Sequence, residues 1–263
     1  VNNYKLVLEY AGTRYSGWQE QKNATTIAGE LRKALEAVAG PVEELVGAGR
    51  TDAGVHALAQ VAHAKAEKKI DPQALREGLN ERLPSDIHVL RVATADPRFH
   101  ARHAALTRTY LYQVSRRRTA FAKKYVWWPR RELDLEKMRR ATEGLVGERD
   151  FALFSDRPKE AKSTMVRMDR AELAEAGSLV LLRFEASNFL WKMVRRLAGA
   201  LVEVGAGDLR PEHFASLVAA RFPTGLEEKD AKWTAPPTGL FLVGVRYPGD
   251  ATAGPIEPAV PVP

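Results

Sequence analysis

The chain contains no cysteine, so disulfides, thiolate metal sites and cysteine nucleophiles are excluded at once. It also lacks any run of about 18 apolar residues, the length a helix needs to cross a bilayer. The absence of cysteine and the scarcity of asparagine, at only five of 263 positions, together with fifteen prolines, lead one to expect a heat-tolerant source. The opening residues Val1, Asn2, Asn3 and Tyr4 show none of the basic and apolar stretches of a secretory signal, from which a cytoplasmic location is expected.

What the chain does have is positive charge, unevenly placed. Lys and Arg number 40 against 33 acids, a net of +7. Residues 108–140 hold eleven basic and three acidic side chains, a net of +8, which leaves the remainder near neutrality at −1. Tyr110, Tyr112, Phe121, Tyr125, Trp127 and Trp128 are interleaved with that charge. Cations beside stacking side chains suit single-stranded or looped RNA, although a solvated basic loop would have the same composition.

Apolar periodicity predicts an α+β protein. Lys5 to Tyr10, Glu43 to Val46, Ala59 to Ala64 and Ile87 to Val92 alternate as strands. Ile27, Leu31, Leu35 and Val38 recur at helical spacing behind a Thr26 N-cap, and Asp71-Pro72 opens a second helix that runs to Arg82. A second round follows: a strand at Thr107 to Val114, a helix near Asp134 to Val146, a strand at Leu179 to Ala186, helices at Leu190 to Val204 and Pro211 to Ala220, and a strand at Leu240 to Tyr247. The expected organisation is two similar α/β halves, residues 1–105 and 106–247, forming an extended, mostly antiparallel sheet with helices packed on it and a basic central cleft. Residues 248–263, rich in Pro, Gly, Ala and Val without periodicity, are expected to be a mobile tail.

Between two apolar strands lies the polar loop Arg50-Thr51-Asp52-Ala53-Gly54-Val55-His56. Gly54 permits a tight turn that presents the Asp52 carboxylate outward. An Asx turn, in which Asp52 only bonds a nearby backbone N–H, accounts equally well for the spacing.

The string Gly47-Ala48-Gly49-Arg50-Thr51-Asp52-Ala53-Gly54-Val55-His56 resembles the catalytic signature of the tRNA pseudouridine synthase A family. Tyr10, Gly12, Tyr15, Gly17, Trp18 and Gln19 are similar to that family's opening block, and Phe99-His100-Ala101-Arg102 to its middle block. Arg108 with Tyr110, then Asn188-Phe189-Leu190 with Met193-Val194-Arg195, and finally Ala235-Pro236 with Gly239-Leu240, resemble later blocks. The likeness extends from residue 4 to about residue 247.

The resemblance implies a pseudouridine synthase fold and an isomerase that converts uridine to pseudouridine at positions 38, 39 and 40 of the tRNA anticodon stem-loop. It implies a homodimer, base flipping, and no metal or cofactor. The chemistry agrees, because uracil is detached at N1, rotated and rejoined through C5 to the same ribose without net redox change or hydrolysis. Asp52 would supply the one required carboxylate, as a nucleophile on the uracil ring or the sugar carbon, or as a base removing a sugar proton. By resemblance Tyr110 stacks on the target base and takes part in removing the C5 proton. Arg195 pairs with Asp52, which would keep it charged and aimed. Arg50 fills the space left by the extruded nucleotide, Leu240 walls the pocket, and Arg108 contacts substrate within the basic segment that holds phosphates in register.

Plainer readings exist for each residue. Tyr110 could be an ordinary strand aromatic, Lys192, Arg195 and Arg196 a solvated helix face, and Trp18 a core anchor. Of the six histidines, only His100 and His103 lie close in sequence, with Asp96 the nearest acid, so no metal site is expected. Ala11 stands where relatives usually carry aspartate, and Trp191-Lys192 replaces a pair that often includes histidine, which puts local RNA contacts in doubt. Two rival functions remain. One is a non-catalytic RNA-binding module; the other is a glycosidase-type hydrolase, for which a second carboxylate acid is missing from the matched blocks.

Overall fold

The computed structural model describes residues 1–156, 163–222, 225 and 233–262. They carry nine β-strands and five α-helices, and the chain divides by its contacts into two compact units, 1–106 with 241–253 and 107–240 with 254–263. The last strand, expected with the second half, returns by its contacts to the first.

In the first unit, β1 (Asn2–Tyr10) pairs antiparallel with β3 (His56–Ala66) and with β4 (Ile87–Thr94). The other edge of β3 is shared. β2 (Val42–Gly47) runs antiparallel along its C-terminal half, and β9 (Leu240–Arg246) pairs in parallel with His56 and Ala57 at its start. Tyr4, Leu6, Leu8 and Tyr10 of β1 are all buried, as the alternating pattern requires. The helix α1 (Ile27–Ala39) contributes Ile27, Leu31 and Leu35 to the core, all fully buried. Each such side chain contributes about 1.5–3 kcal/mol on transfer from water. The Thr26 hydroxyl caps α1 by accepting from Gly29 N–H at 3.2 Å. α2 (Pro72–Asn80) is capped by Asp71, whose carboxylate accepts from Gln73 and Ala74 N–H.

The second unit is an antiparallel sheet in the order β5 (Thr107–Ser115), β8 (Leu179–Ala186), β7 (Met165–Ala176), β6 (Gly147–Asp150). Every residue of β5 and of β8 is buried, so these strands read as continuous cores rather than as alternating ones. α3 (Leu135–Glu143), α4 (Met193–Ala206) and α5 (Pro211–Val218) complete the unit. Eleven of the fourteen residues of α4 are buried, which makes it the central helix of the unit.

β7 has no counterpart in the periodicity reading. Its sequence, MVRMDRAELAEA, is rich in helix-forming Ala, Glu and Arg, and the bulge between Met168 and Arg170 shifts the alternation part-way along the strand. Pairing with the buried β8 overrides both signals. The C-terminal residues are held by hydrogen bonds that composition does not reveal. The fully buried Gln113 amide accepts from Ala259 N–H at 2.7 Å and donates to the Val260 carbonyl at 3.3 Å, while Arg183 donates to the Gly254 carbonyl at 2.5 Å. Among the described residues, no helix is long and apolar enough to cross a membrane.

Candidate active site

The loop that joins β2 to β3 carries Asp52 and is anchored at nearly every step. Ala48 N–H donates to the Val61 carbonyl at 2.7 Å. The side-chain amide of Gln60, fully buried on β3, donates to the Gly49 carbonyl at 2.9 Å and accepts from Gly49 N–H at 3.4 Å. Thr51, also buried, shares a 2.8 Å hydrogen bond with the Tyr10 hydroxyl, which lies 3.4 Å from Gln60 Nε2. Burial pushes the Tyr10 phenol up to about 12, so it remains a neutral donor and acceptor at physiological pH. The loop closes as Val55 N–H donates to the Asp52 carbonyl at 3.1 Å, with Gly54 at φ +80.

A second loop, after β1, clasps the first. Trp18 N–H donates to the Thr51 carbonyl, Gly54 N–H donates to the Tyr15 carbonyl, and Gly12 N–H donates to His56 Nδ1, at 3.0, 3.3 and 3.0 Å. Gly17 makes this approach possible: it sits at φ +90, and a Cβ there would lie 2.6 Å from the Thr51 carbonyl oxygen. Trp18 is buried against Gly47 and Tyr10, so its reading as a core anchor stands. Within this frame the Asp52 side chain is half-buried and Arg50 exposed, an arrangement that fixes the backbone on both sides of a carboxylate without enclosing it.

The second unit holds the other residues singled out in the sequence. Tyr110 lies on β5, buried, with Phe189 edge-on at 5.0 Å between ring centroids. Arg108, two residues earlier and on the same face, is 8% exposed and donates to the Ser187 carbonyl at 2.8 Å. Arg195 projects from α4 and is fixed to residue 235 from both ends. Its Nε donates to the Ala235 carbonyl at 2.8 Å, and its own carbonyl accepts from Ala235 N–H at 3.0 Å. Leu240 is buried at the start of β9.

The plainer reading of Lys192, Arg195 and Arg196 as a solvated helix face does not describe Arg196. Arg196 is 9% exposed, donates to the Ser155 carbonyl and pairs with Asp156, which Lys192 also contacts at 2.5 Å. These cations hold the Asp156 carboxyl below the usual carboxylate range, the Lys192 hydrogen bond foremost. Helical spacing alone could not distinguish this arrangement from a wet surface, because Asp156 is distant in sequence.

One cluster was invisible to sequence spacing. Glu44 of β2, His63 of β3 and His100 bring one potential ligand atom each to within 4.8 Å of one another. The hydrogen bonding argues against a cation there. His63 Nδ1 accepts from Ala101 N–H at 3.1 Å, and His100 Nδ1 accepts from the N–H groups of Arg102 and His103. Each neutral ring therefore carries its proton on Nε2, where a metal would need the lone pair. His63 Nε2 points toward Glu44 Oε2 at 3.4 Å, too poorly aligned for a full hydrogen bond. Gln60 was likewise missed, because a glutamine within an apolar strand gives no sign of the backbone it will hold.

Comparison with known proteins agrees with this construction. A family model described as tRNA pseudouridine synthase matches residues 6–103 and 141–248. The first segment includes the whole Asp52 loop and the second includes Arg195 and Leu240, while the basic stretch between them lies outside the match. The chain is 41% identical over 247 residues to the tRNA pseudouridine synthase A of Rhodopseudomonas palustris strain BisB18, covering 93% of this chain and 99% of that one. To the enzyme of the same name from Brucella ovis it is 39% identical over 249 residues, covering 93% and 97%. With an anchored acidic loop in the first matched segment, and near-complete coverage of relatives at this identity, the chain belongs to the tRNA pseudouridine synthase family, isomerases that act on tRNA.

Proposed function

We propose that this enzyme isomerises uridines 38, 39 and 40 in the anticodon stem-loop of tRNA, with Asp52 as the indispensable carboxylate and without metal or cofactor. The observation that carries the reading is the bracing of the Asp52 loop by Gln60, Thr51 and Trp18 N–H. A carboxylate on a backbone fixed at this many points is pre-organised and need not be ordered during the reaction. In this reading the target uridine is flipped from the loop, at a cost of a few kcal/mol that phosphate contacts offset. Tyr110 stacks on the base and assists removal of the C5 proton, and Arg195 pairs with Asp52. Arg50 occupies the vacated position, Leu240 forms the apolar wall and Arg108 holds substrate. The active species is a homodimer in the cytoplasm.

Asp52→Asn keeps the shape of the side chain and removes its charge. It is expected to abolish pseudouridine formation on unmodified tRNA transcripts, mapped by chemical probing, while leaving tRNA affinity largely intact. Pseudouridine at normal rates in that variant would end the proposal. Release of free uracil by the wild type would instead favour the hydrolase, and tRNA binding with no product the RNA-binding module.

A further inference from the structure

The loop that follows β5 is tied down rather than free. Trp127 N–H donates to the Gln113 carbonyl at 3.0 Å, Ser115 N–H donates to the Trp127 carbonyl at 2.7 Å, and the Gln113 side chain donates to the Tyr125 carbonyl at 3.1 Å. Thr119 closes a turn by accepting from Ala122 N–H. The loop so held surrounds a cavity of about 470 Å³ whose walls include Arg118, Lys123, Val126, Trp128 and Arg130, with no acidic residue among its lining.

Three cations line this cavity. Several basic residues elsewhere in the second unit, among them Arg116, Arg131, Arg139, Arg183, Lys192 and Arg196, each meet a carboxylate. Among the described residues, Arg118, Lys123 and Arg130 have no carboxylate within 4.0 Å. All three are exposed and line one cavity. Trp128 is half-buried, and the Arg130 guanidinium lies 5.3 Å from its ring centroid. An indole and a guanidinium plane beside exposed cations match the two chemical features of a nucleotide unit, a flat base and a charged phosphate. An acidic peptide would satisfy the cations and leave the aromatic surface unused.

We infer that this cavity is a binding site for a single-stranded nucleotide of the tRNA, with the base stacked on the Trp128–Arg130 pair and the flanking phosphates on Arg118 and Lys123. The inference rests on the reading of tRNA as substrate and adds a contact outside the two segments matched by the family model. It is tested by equilibrium binding of an unmodified tRNA transcript to the full chain across a range of salt concentrations. Because no turnover is measured, failure of the Asp52 mechanism leaves this readout unchanged.

The double variant Arg118→Ala/Lys123→Ala is expected to reduce the slope of log affinity against log salt by about 1.4–1.8, the loss of two phosphate contacts at roughly 0.7–0.9 each. Trp128→Ala is expected to weaken binding roughly 5- to 150-fold, and Trp128→Phe to restore most of that loss. Should Trp128→Ala fail to fold, the double variant decides alone, since both of its side chains are exposed. An unchanged slope in the double variant overturns the inference. So does competition in which poly-glutamate displaces an oligouridylate as effectively as tRNA does, with Trp128→Ala indifferent to either, because that outcome assigns the cavity to an acidic polypeptide.

Discussion

The Tyr10 hydroxyl stands 2.8 Å from Thr51 Oγ1, one residue before Asp52, with the Gln60 amide completing the group. All three side chains are buried. A strand residue of β1 thereby fixes the backbone that presents the carboxylate, through a buried hydrogen-bond network.

Tyr10→Phe keeps the ring and removes that hydroxyl. Loss of its two buried hydrogen bonds, leaving Thr51 and Gln60 partly unsatisfied, is expected to cost about 1–3 kcal/mol of stability. It is also expected to slow pseudouridine formation more than it weakens tRNA binding. Denaturant titration and single-turnover rates check this, and equal stability with an unchanged rate would show the network to be idle.

Gly17 and Gly207 share a left-handed backbone, at φ +90 and +87, yet differ in their surroundings. A Cβ at Gly17 meets the Thr51 carbonyl oxygen at 2.6 Å, whereas at Gly207 it meets nothing within 4 Å. Gly207→Ala should cost only the backbone penalty, about 1 kcal/mol. Gly17→Ala should cost more, about 2–4 kcal/mol, and should reduce activity because the clasp on the Asp52 loop opens. Similar melting midpoints for the two variants would refute the close-approach argument.

Acid should destabilise the first unit through His63 and His100. Both imidazoles are held below their usual value of 6.5, each chiefly by burial, and His100 additionally by the positive charges that His63, His103 and Arg102 can bring. The folded protein therefore binds fewer protons than the unfolded chain. The stability they contribute is complete above pH 6.5 and is lost as pH falls through the lowered values. Glu44, held low first by its hydrogen bond to Lys65, acts in the same direction at more acid pH. His63→Asn, whose carbonyl can still accept from Ala101 N–H, should flatten the fall in unfolding free energy below 6.5. An undiminished slope would place the acid sensitivity elsewhere.

Asp156 pairs with both Lys192, three residues before Arg195, and Arg196, one after it, at the start of α4. Asp156→Ala leaves the largely buried Arg196 guanidinium with the Ser155 carbonyl as a remaining partner. A loss of about 1.5–3 kcal/mol is expected, along with slower catalysis if Arg195 is displaced. Thermal unfolding and turnover at saturating tRNA separate the two effects, and a neutral result would mean that solvent replaces the carboxylate without cost.

The sequence by itself determined the elements whose signals are local. Thr26 and Asp71 mark helix starts because a cap is a contact over two or three residues, and the Ile27–Leu31–Leu35 stripe marks a buried face because the helical period is fixed. It also showed where the acidic loop lies, through a run of ten residues similar to a known family. Tertiary structure decided what depends on contacts across the chain. The twelve-residue β7, built of helix-forming residues, is a strand because β8 offers it a buried ladder. Arg196 is buried and ion-paired rather than wet because Asp156 folds against it. Gln60 and Tyr10 reach the Asp52 loop only once β1 and β3 pair, and Glu44, His63 and His100 meet only across β2, β3 and the loop after β4. Hydrogen bonds and ion pairs act over a few ångströms whatever the sequence separation, and only the folded chain sets those distances.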